Sequence, residues 1–244
     1  MPTFTPELLV VLPIFNEEAS IEKVIHEWMY ALQQSGADFV CLAIDDGSRD
    51  QTLEKLHVLR AHYGERLEVL SRENRGHGQT CLQGYKMAIQ RGSEFILQID
   101  SDGQCDPQFF TEFWARRTAY DVIYGKRQRE DGWRRVIASL VLRTALRLRC
   151  GVDCVDANVP YRLMRVSACR AAILSIPREF FLVNVALAVI LQGRSDVRHG
   201  TVAIRFRARY GGEPSVPLLC FASKAKELFA QLKTLHHTDK GEMC

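Results

Sequence analysis

Ile96 to Asp106 reads I-L-Q-I-D-S-D-G-Q-C-D, an apolar strand that runs straight into Asp100, Asp102 and Gln104. Side chains alternate faces along a strand, so two carboxylates two apart at its C-terminal end point the same way. Like charges held that close repel each other unless a cation lies between them. Carboxylate oxygens with an amide oxygen nearby suit Mg²⁺ or Mn²⁺, ions that commonly hold substrate phosphates as well. By itself a D-x-D is as readily a set of acidic caps ahead of a helix starting at Asp106-Pro107. It does not stand by itself.

Three further clusters carry chemistry. V-V-L-P-I-F-N-E-E is a sharp turn presenting Phe15 and two acids. Pro13 and Phe15 could hold a nucleotide base, with Glu17 on its edge, while the plainer reading has Glu17 and Glu18 favouring a helix N-terminus. A-I-D-D-G-S-R-D sets adjacent acids at a strand end. An Asx turn into a helix explains the pattern, but buried neighbouring acids are costly without a ligand. Asp45 would then take a base or ribose, supported by Asp46. N-R-G-H-G-Q-T is a glycine-rich turn before a helix. It lacks both G-x-G-x-x-G and the Walker lysine, which argues against dinucleotide and P-loop binding. Backbone amides of Gly76–Gln79 could still meet a diphosphate or sugar at a helix N-terminus, and His77 reads equally well as a surface residue.

The elements that position these clusters follow from periodicity. Strand-like runs at Leu8–Leu12, Phe39–Ile44, Leu67–Leu70, Phe95–Ile99 and Val122–Tyr124 alternate with helical stretches at Glu18–Gln34, Asp50–His62, Gly78–Gln90 and Pro107–Ala119. Such alternation over short connections predicts an α/β fold, a mostly parallel sheet with helices on both faces. Ligands of these sheets bind beyond the carboxyl ends of the strands, where the turn after Pro13, the Asp45-Asp46 pair and the Asp100-Asp102 pair fall. Beyond residue 126 come a basic helical stretch (127–149), an extended segment (Val155–Met164), helices across 167–174 and from Phe181, a strand over Thr201–Arg209, and an amphipathic tail (Leu218–Leu235). The expected organisation is one domain over residues 1–216, with halves 1–126 and 127–216, and a helical appendage over 217–244.

Composition narrows the class. The 244 residues are 47% hydrophobic and 25% charged, ordinary for a globular chain, and a net charge of +3 gives no case for nucleic acid. Eight scattered cysteines without C-x-x-C read as reduced thiols of a cytosolic protein. No signal-peptide pattern is expected at the N-terminus. The longest apolar run, Phe180 to Leu191, is too short for a bilayer and contains Asn184. The stretch carrying Trp133, Arg134, Arg135, Arg143 and Arg147 beside Val136, Ile137, Leu140, Val141 and Leu148 has the composition of a helix lying in an anionic interface. A core helix with a solvated basic face has the same composition.

Together, P-I-F-N-E-E, D-D-G-S-R-D, N-R-G-H-G, D-S-D-G-Q, G-K-R and D-A-N-V-P-Y-R resemble the family 2 inverting glycosyltransferases of the A-type nucleotide-sugar fold, across residues 8–216. Within them the chain is most similar to the polyprenyl-phosphate branch typified by dolichyl-phosphate mannose synthase. The resemblance implies a nucleotide-sugar site at Pro13, Phe15, Glu17, Asp45, Asp46, Gly76, Asp100 and Ser101. It implies Mg²⁺ or Mn²⁺ on Asp100, Asp102 and Gln104, and phosphate contacts from Arg127 and Arg209. Asp156 falls on the acid facing the acceptor, in a pattern completed by Tyr161 and Arg162, with Arg134 and Arg135 on the same acceptor side. The implied reaction moves a hexose from a nucleotide-diphosphate sugar to a polyprenyl phosphate. Its implied place is cytoplasmic, peripheral at the inner face of a membrane, with a separate membrane subunit as an alternative means of attachment. A glycan, protein or small-molecule acceptor is the alternative, and a non-catalytic binding subunit the third reading. Three departures bear on the acceptor: R-Y-G-G-E-P-S-V offers no lysine after Arg209, Asn158-Val159-Pro160 replaces small polar residues, and Asn184-Val185-Ala186 lacks an acid.

Overall fold

Strands β1 (Leu8–Ile14) and β2 (Phe39–Asp45) are buried along their whole length, as strands covered by helices on both faces must be. The computed structural model describes residues 5–128, 144, 147, 157–177, 180 and 182–211. Most of the basic stretch, including Arg134 and Arg135, lies outside them, as do Asp156 and the 217–244 tail.

Five more strands complete the sheet among the described residues: β3 (Leu67–Ser71), β4 (Phe95–Gln98), β5 (Val122–Arg127), β6 (Arg162–Arg165) and β7 (His199–Ile204). The order is β3-β2-β1-β4-β6-β5-β7. All pairings are parallel except those of β6, which runs antiparallel between β4 and β5. Because β6 reverses twice over, β5 and β7 still run the same way as β1 to β4. Six strand C-termini therefore open on one edge. The mostly parallel α/β sheet expected from the sequence is the one observed.

Helices α1 (Ile21–Gln34), α2 (Thr52–Tyr63), α3 (His77–Arg91), α4 (Phe110–Arg116), α5 (Val166–Ser175) and α6 (Val183–Gln192) flank this sheet. Helix α1 buries Ile21, Val24, Ile25, Trp28, Met29 and Leu32, a stripe at helical spacing. Helix α3 lies close on β1 because residue 84 is glycine: a Cβ there would sit 2.4 Å from Val11 Cγ1. Three expected boundaries move. Helix α1 starts at Ile21, since Glu17 to Ser20 form the turn ahead of it. Pro107–Phe109 is a 3₁₀ turn capped by Asp106, whose Oδ1 accepts from the Gln108 N–H at 3.0 Å. The last strand ends at Ile204, short of Arg209, because the chain there leaves the sheet to cover the Asp102 loop.

Candidate active site

The turns after β1 and β2 are laced together. Asn16, at a positive φ of 54°, donates its N–H to Ser48 Oγ at 3.0 Å and accepts from the Arg49 N–H at 2.8 Å. Glu17 N–H donates to Thr52 Oγ1 at 2.8 Å. Glu18 accepts from the Gln51 N–H at 2.9 Å while its own N–H donates to Asp50 Oδ2 at 3.2 Å. These bonds tie the β1 turn to the loop ahead of α2, so Asn16 and Glu18 serve structure. Glu17 alone of the three turns inward.

Only 5% of Glu17 is exposed. Its Oε2 accepts from Ser20 Oγ at 2.7 Å, and Oε1 meets Arg209 NH2 at 2.5 Å. The other nitrogen of Arg209, NH1, stands 3.6 Å from Asp102 Oδ2. Burial raises the Glu17 carboxyl above its ordinary range, against the opposing pull of Ser20 and Arg209. Asp102 is raised by burial first and by the Asp100 charge second. Arg209 thus ties the β1 turn to the D-S-D loop, at the edge where six strands end.

A strap over residues 205–211 brings it there. Arg207 and Tyr210 donate their N–H groups to the carbonyls of Gln104 and Asp102, each at 3.1 Å. Glu27 on α1 anchors the strap from outside, accepting from Arg207 NH2 at 2.6 Å and from the Tyr210 hydroxyl at 3.0 Å. The Tyr210 ring lies over Gly103, where φ is +81° and a Cβ would come within 2.4 Å of ring carbon Cδ2. Only glycine fits both that backbone and that contact.

Asp100 Oδ1 accepts from Gln98 Nε2 at 3.1 Å, and His77 Nε2 stands 3.0 Å from the same oxygen. Asp102 Oδ1 accepts from the Gln104 N–H at 3.0 Å. Among the described residues, no three His, Cys, Asp or Glu side chains gather to hold a metal by themselves. Two neighbouring carboxylates, the charge of Asp100 helping to raise Asp102, with an amide side chain two residues on, still fit Mg²⁺ or Mn²⁺, which complete their shells with water and substrate phosphate.

Several expected contacts are different in the structure. Asp46 is buried and spent on its own chain: it accepts from Arg72 Nε at 2.8 Å, the Arg75 N–H at 3.0 Å and the Gly76 N–H at 2.8 Å. The Gly76 N–H is therefore engaged by Asp46. Tyr161 and Arg162, expected on the acceptor, are both 0% exposed. Tyr161 stacks on Phe113 at 4.5 Å, and the Arg162 guanidinium donates to the carbonyls of Ala157, Val159 and Asn184. A guanidinium that binds three carbonyls inside the core braces β6 rather than touching an acceptor. Asp45 is buried, accepting from Ser71 Oγ at 3.1 Å and the Ser48 N–H at 3.2 Å. Pro13 is buried in β1 opposite Ile44, and Phe15 is half-buried just past the strand end. Ser101 is buried, its carbonyl 3.4 Å from Ser20 Oγ. Arg127 ends β5 with its guanidinium 4.4 Å above the Phe206 ring. Gln98 is a residue the sequence reading leaves out, and Asn184 enters it only as a polar break in an apolar run and as a place where an acid is missing.

A family model described as Glycosyl transferase family 2 matches residues 9–171, from β1 through most of α5. The chain belongs to glycosyl transferase family 2. Among curated members of similar sequence, the undecaprenyl-phosphate 4-deoxy-4-formamido-L-arabinose transferase of Aeromonas hydrophila is 29% identical over 159 residues, 64% of this chain and 48% of that protein. The protein of the same description from Pseudomonas aeruginosa is 29% identical over 177 residues, 71% of this chain and 51% of that one. The family 2 chain thus spans about half the length of the curated relatives it matches. Its fold is shared with glucosyl-3-phosphoglycerate synthase from Mycobacterium tuberculosis in complex with Mn²⁺, UDP and phosphoglyceric acid, with a TM-score of 0.71 at 20% identity, covering 94% of this chain and 78% of that one. The same enzyme with Mn²⁺ and UDP-glucose gives a TM-score of 0.68 at 20% identity, over 94% and 78% of the two chains.

Proposed function

We propose that this family 2 chain moves a sugar from a nucleoside-diphosphate donor to a polyprenyl phosphate, with inversion at the anomeric carbon and dependence on Mg²⁺ or Mn²⁺. The observation that carries the reading is the meeting of Arg209 with Asp102 and Glu17 at the common edge of the sheet. A departing diphosphate needs positive charge at one fixed place, and preorganised charge there lowers the barrier most. Asp100 and Asp102 would hold the metal, which when bound supplies part of that charge. Arg209 supplies the rest, its forked donors matched to phosphate oxygens. Phe15, Asp45 and Glu17, at or just past the ends of β1 and β2, would face the nucleotide, and Arg127 at the end of β5 would meet its phosphates.

The acceptor class is supported by the curated relatives, whose descriptions name undecaprenyl phosphate. The chemistry agrees. A phosphate monoester has a second pKa near 6, so it is largely dianionic at neutral pH and brings its own nucleophilic oxygen. No strong protein base is then required, and Asp156 is proposed only to orient the acceptor. A lipid acceptor places the reaction at a membrane surface, where Arg134, Arg135 and their neighbours would meet anionic lipid. No helix of the described residues is long and apolar enough to cross a membrane. Free thiols at Cys41, Cys81, Cys105 and Cys169 favour a reducing, cytoplasmic side.

The test has two steps. Thermal shifts with UDP, GDP, CDP and dTDP, each with and without Mn²⁺, should show one diphosphate that stabilises only with metal. The matching labelled nucleotide sugars, offered with polyprenyl phosphate in vesicles, should then give label in the lipid extract. Label in a soluble product instead would transfer the assignment to another acceptor. No metal-dependent stabilisation by any diphosphate would sink the transferase reading.

A further inference from the structure

Tyr85 on α3, Asn184 on α6 and Gln98 at the end of β4 interrupt an otherwise apolar core, and all three are buried. They form one chain of hydrogen bonds. The Tyr85 hydroxyl donates to Asn184 Oδ1 at 2.8 Å, Asn184 Nδ2 to Gln98 Oε1 at 3.2 Å, and Gln98 Nε2 to Asp100 Oδ1 at 3.1 Å. Each link dictates the next. Burial keeps the Tyr85 phenol protonated, so it is a donor and the Asn184 oxygen must turn to it. The Asn184 amide then presents N–H to Gln98, and Gln98 presents N–H to the carboxylate. The chain starts on a donor and ends on an atom of Asp100 that can only accept.

We infer that Asn184 is a positioning residue for Asp100, acting through Gln98 across 86 residues of sequence to fix which carboxylate oxygen is offered to the metal. Asp100 Oδ1 is held by Gln98, with His77 Nε2 3.0 Å away. Among the described residues no hydrogen bond reaches Oδ2, which leaves that oxygen for a cation. Asp102 is arranged alike, with Oδ1 engaged by the Gln104 N–H and Oδ2 turned towards Arg209. The two carboxylates would thus each give one oxygen. Asn184 is itself fixed from the far side, since its carbonyl accepts from Arg162 NH1 at 3.1 Å. This explains why a polar residue stands in the apolar helix V-N-V-A-L-A-V: its partner lies at the site, one residue removed. Arg162, expected on the acceptor, belongs to this support.

The inference rests on the proposed metal site, and one experiment separates the two. Mn²⁺ uptake is measured by equilibrium dialysis with UDP, GDP, CDP or dTDP present in turn, on wild type, Asp102→Ala, Asn184→Leu and Tyr85→Phe. Nucleotide binding in EDTA and circular dichroism are recorded for each. Asn184→Leu should weaken Mn²⁺ binding about 10-fold, the lower range for groups that orient a ligand, and Tyr85→Phe should weaken it less. Nucleotide binding in EDTA should not move, which a general loss of structure would not allow. Wild-type Mn²⁺ affinity in both variants, beside loss in Asp102→Ala, would overturn the inference and leave the metal site standing. Absence of uptake by wild type would overturn the metal site, and the inference with it. Should Asn184→Leu fail to fold, Tyr85→Phe decides, because it removes one hydroxyl and leaves the packing.

Discussion

Arg209 and Glu17 are 192 residues apart in the chain, yet NH2 of one lies 2.5 Å from Oε1 of the other. The pair closes the site between the β1 turn and the strap, and its other guanidinium nitrogen faces Asp102. A lysine cannot reproduce this, since a single ammonium lacks the rigid fork that reaches two carboxylates at once. Arg209→Lys is expected to lower kcat by about 10²-fold, the usual loss when one preorganised charge-stabilising donor is removed. Steady-state turnover with the donor identified by thermal shift checks this. Wild-type turnover in Arg209→Lys would remove Arg209 from the diphosphate.

In the proposed site, Asp102 and Glu17 should set an acid limit on donor binding. Both carboxyls are raised, chiefly by burial, so the folded chain binds their protons more tightly than the unfolded chain does. The sign follows from linkage: these two groups weaken folding at neutral pH, and that deficit fades as pH falls through their folded-state values. Metal binding runs the other way, because it needs the ionised carboxylates. Stabilisation by Mn²⁺ with nucleotide should therefore fade on acidification at a pH above the ordinary carboxylate range, with no acceptor present. Asp102→Asn should abolish the metal-dependent part at every pH. An acid limb seen only once acceptor is added would belong to the acceptor phosphate instead.

The sheet was legible in the sequence because strands buried on both faces are continuous apolar runs, and Leu8–Ile14 and Phe39–Asp45 are such runs. The candidate edge is legible because Asp45, Asp100 and Arg127 each terminate or follow a strand-like run. The place of β6 was not, since nothing local tells a four-residue strand that it will enter between β4 and β5 in reverse. Arg162 misled for a related reason. Arginine is rarely buried, so an aromatic-arginine pair completing the Asp156 pattern reads as an acceptor contact, whereas the carbonyls that bury it come from segments 22 residues away and less. Asp46 likewise found its donors in the loop after β3, which parallel pairing alone brings near. The strap is not legible because nothing local shows that Glu27 on α1 will bond Arg207 and Tyr210 far along the chain.

Asp121, at the head of β5, holds the outer edge of the sheet by binding Arg198 just ahead of β7. Its carboxylate accepts from Arg198 Nε at 3.0 Å, NH2 at 2.9 Å and the backbone N–H at 2.9 Å. Arg198's hydrogen bond, more than any other influence, pulls the Asp121 carboxyl down to about 2. A depressed carboxyl contributes stability that is complete above its unfolded value and lost as pH falls towards the folded one. Asp121→Asn should thus melt below wild type at pH 7, and the two should converge as pH approaches 2. A constant difference across that range would mean the side chain acts by shape and not by charge.

Gly103 is where the Tyr210 ring of the strap lies against the Asp102 loop. Alanine there would bring a Cβ to 2.4 Å from the Tyr210 ring, at a φ of +81° that suits glycine. The backbone part should cost about 1–2 kcal/mol, with the displaced ring adding to it. Urea denaturation of Gly103→Ala should show a loss above the backbone figure alone. Adding Tyr210→Ala to Gly103→Ala should recover the steric part and leave the backbone part, so the two substitutions together should destabilise less than their separate losses added. Donor binding should not recover with stability, because Tyr210 and Arg207 hold Arg209 in place through Glu27. If the double variant regained full metal-dependent nucleotide binding, the strap would be packing over the loop without positioning Arg209, and the link between α1 and the diphosphate site would fall.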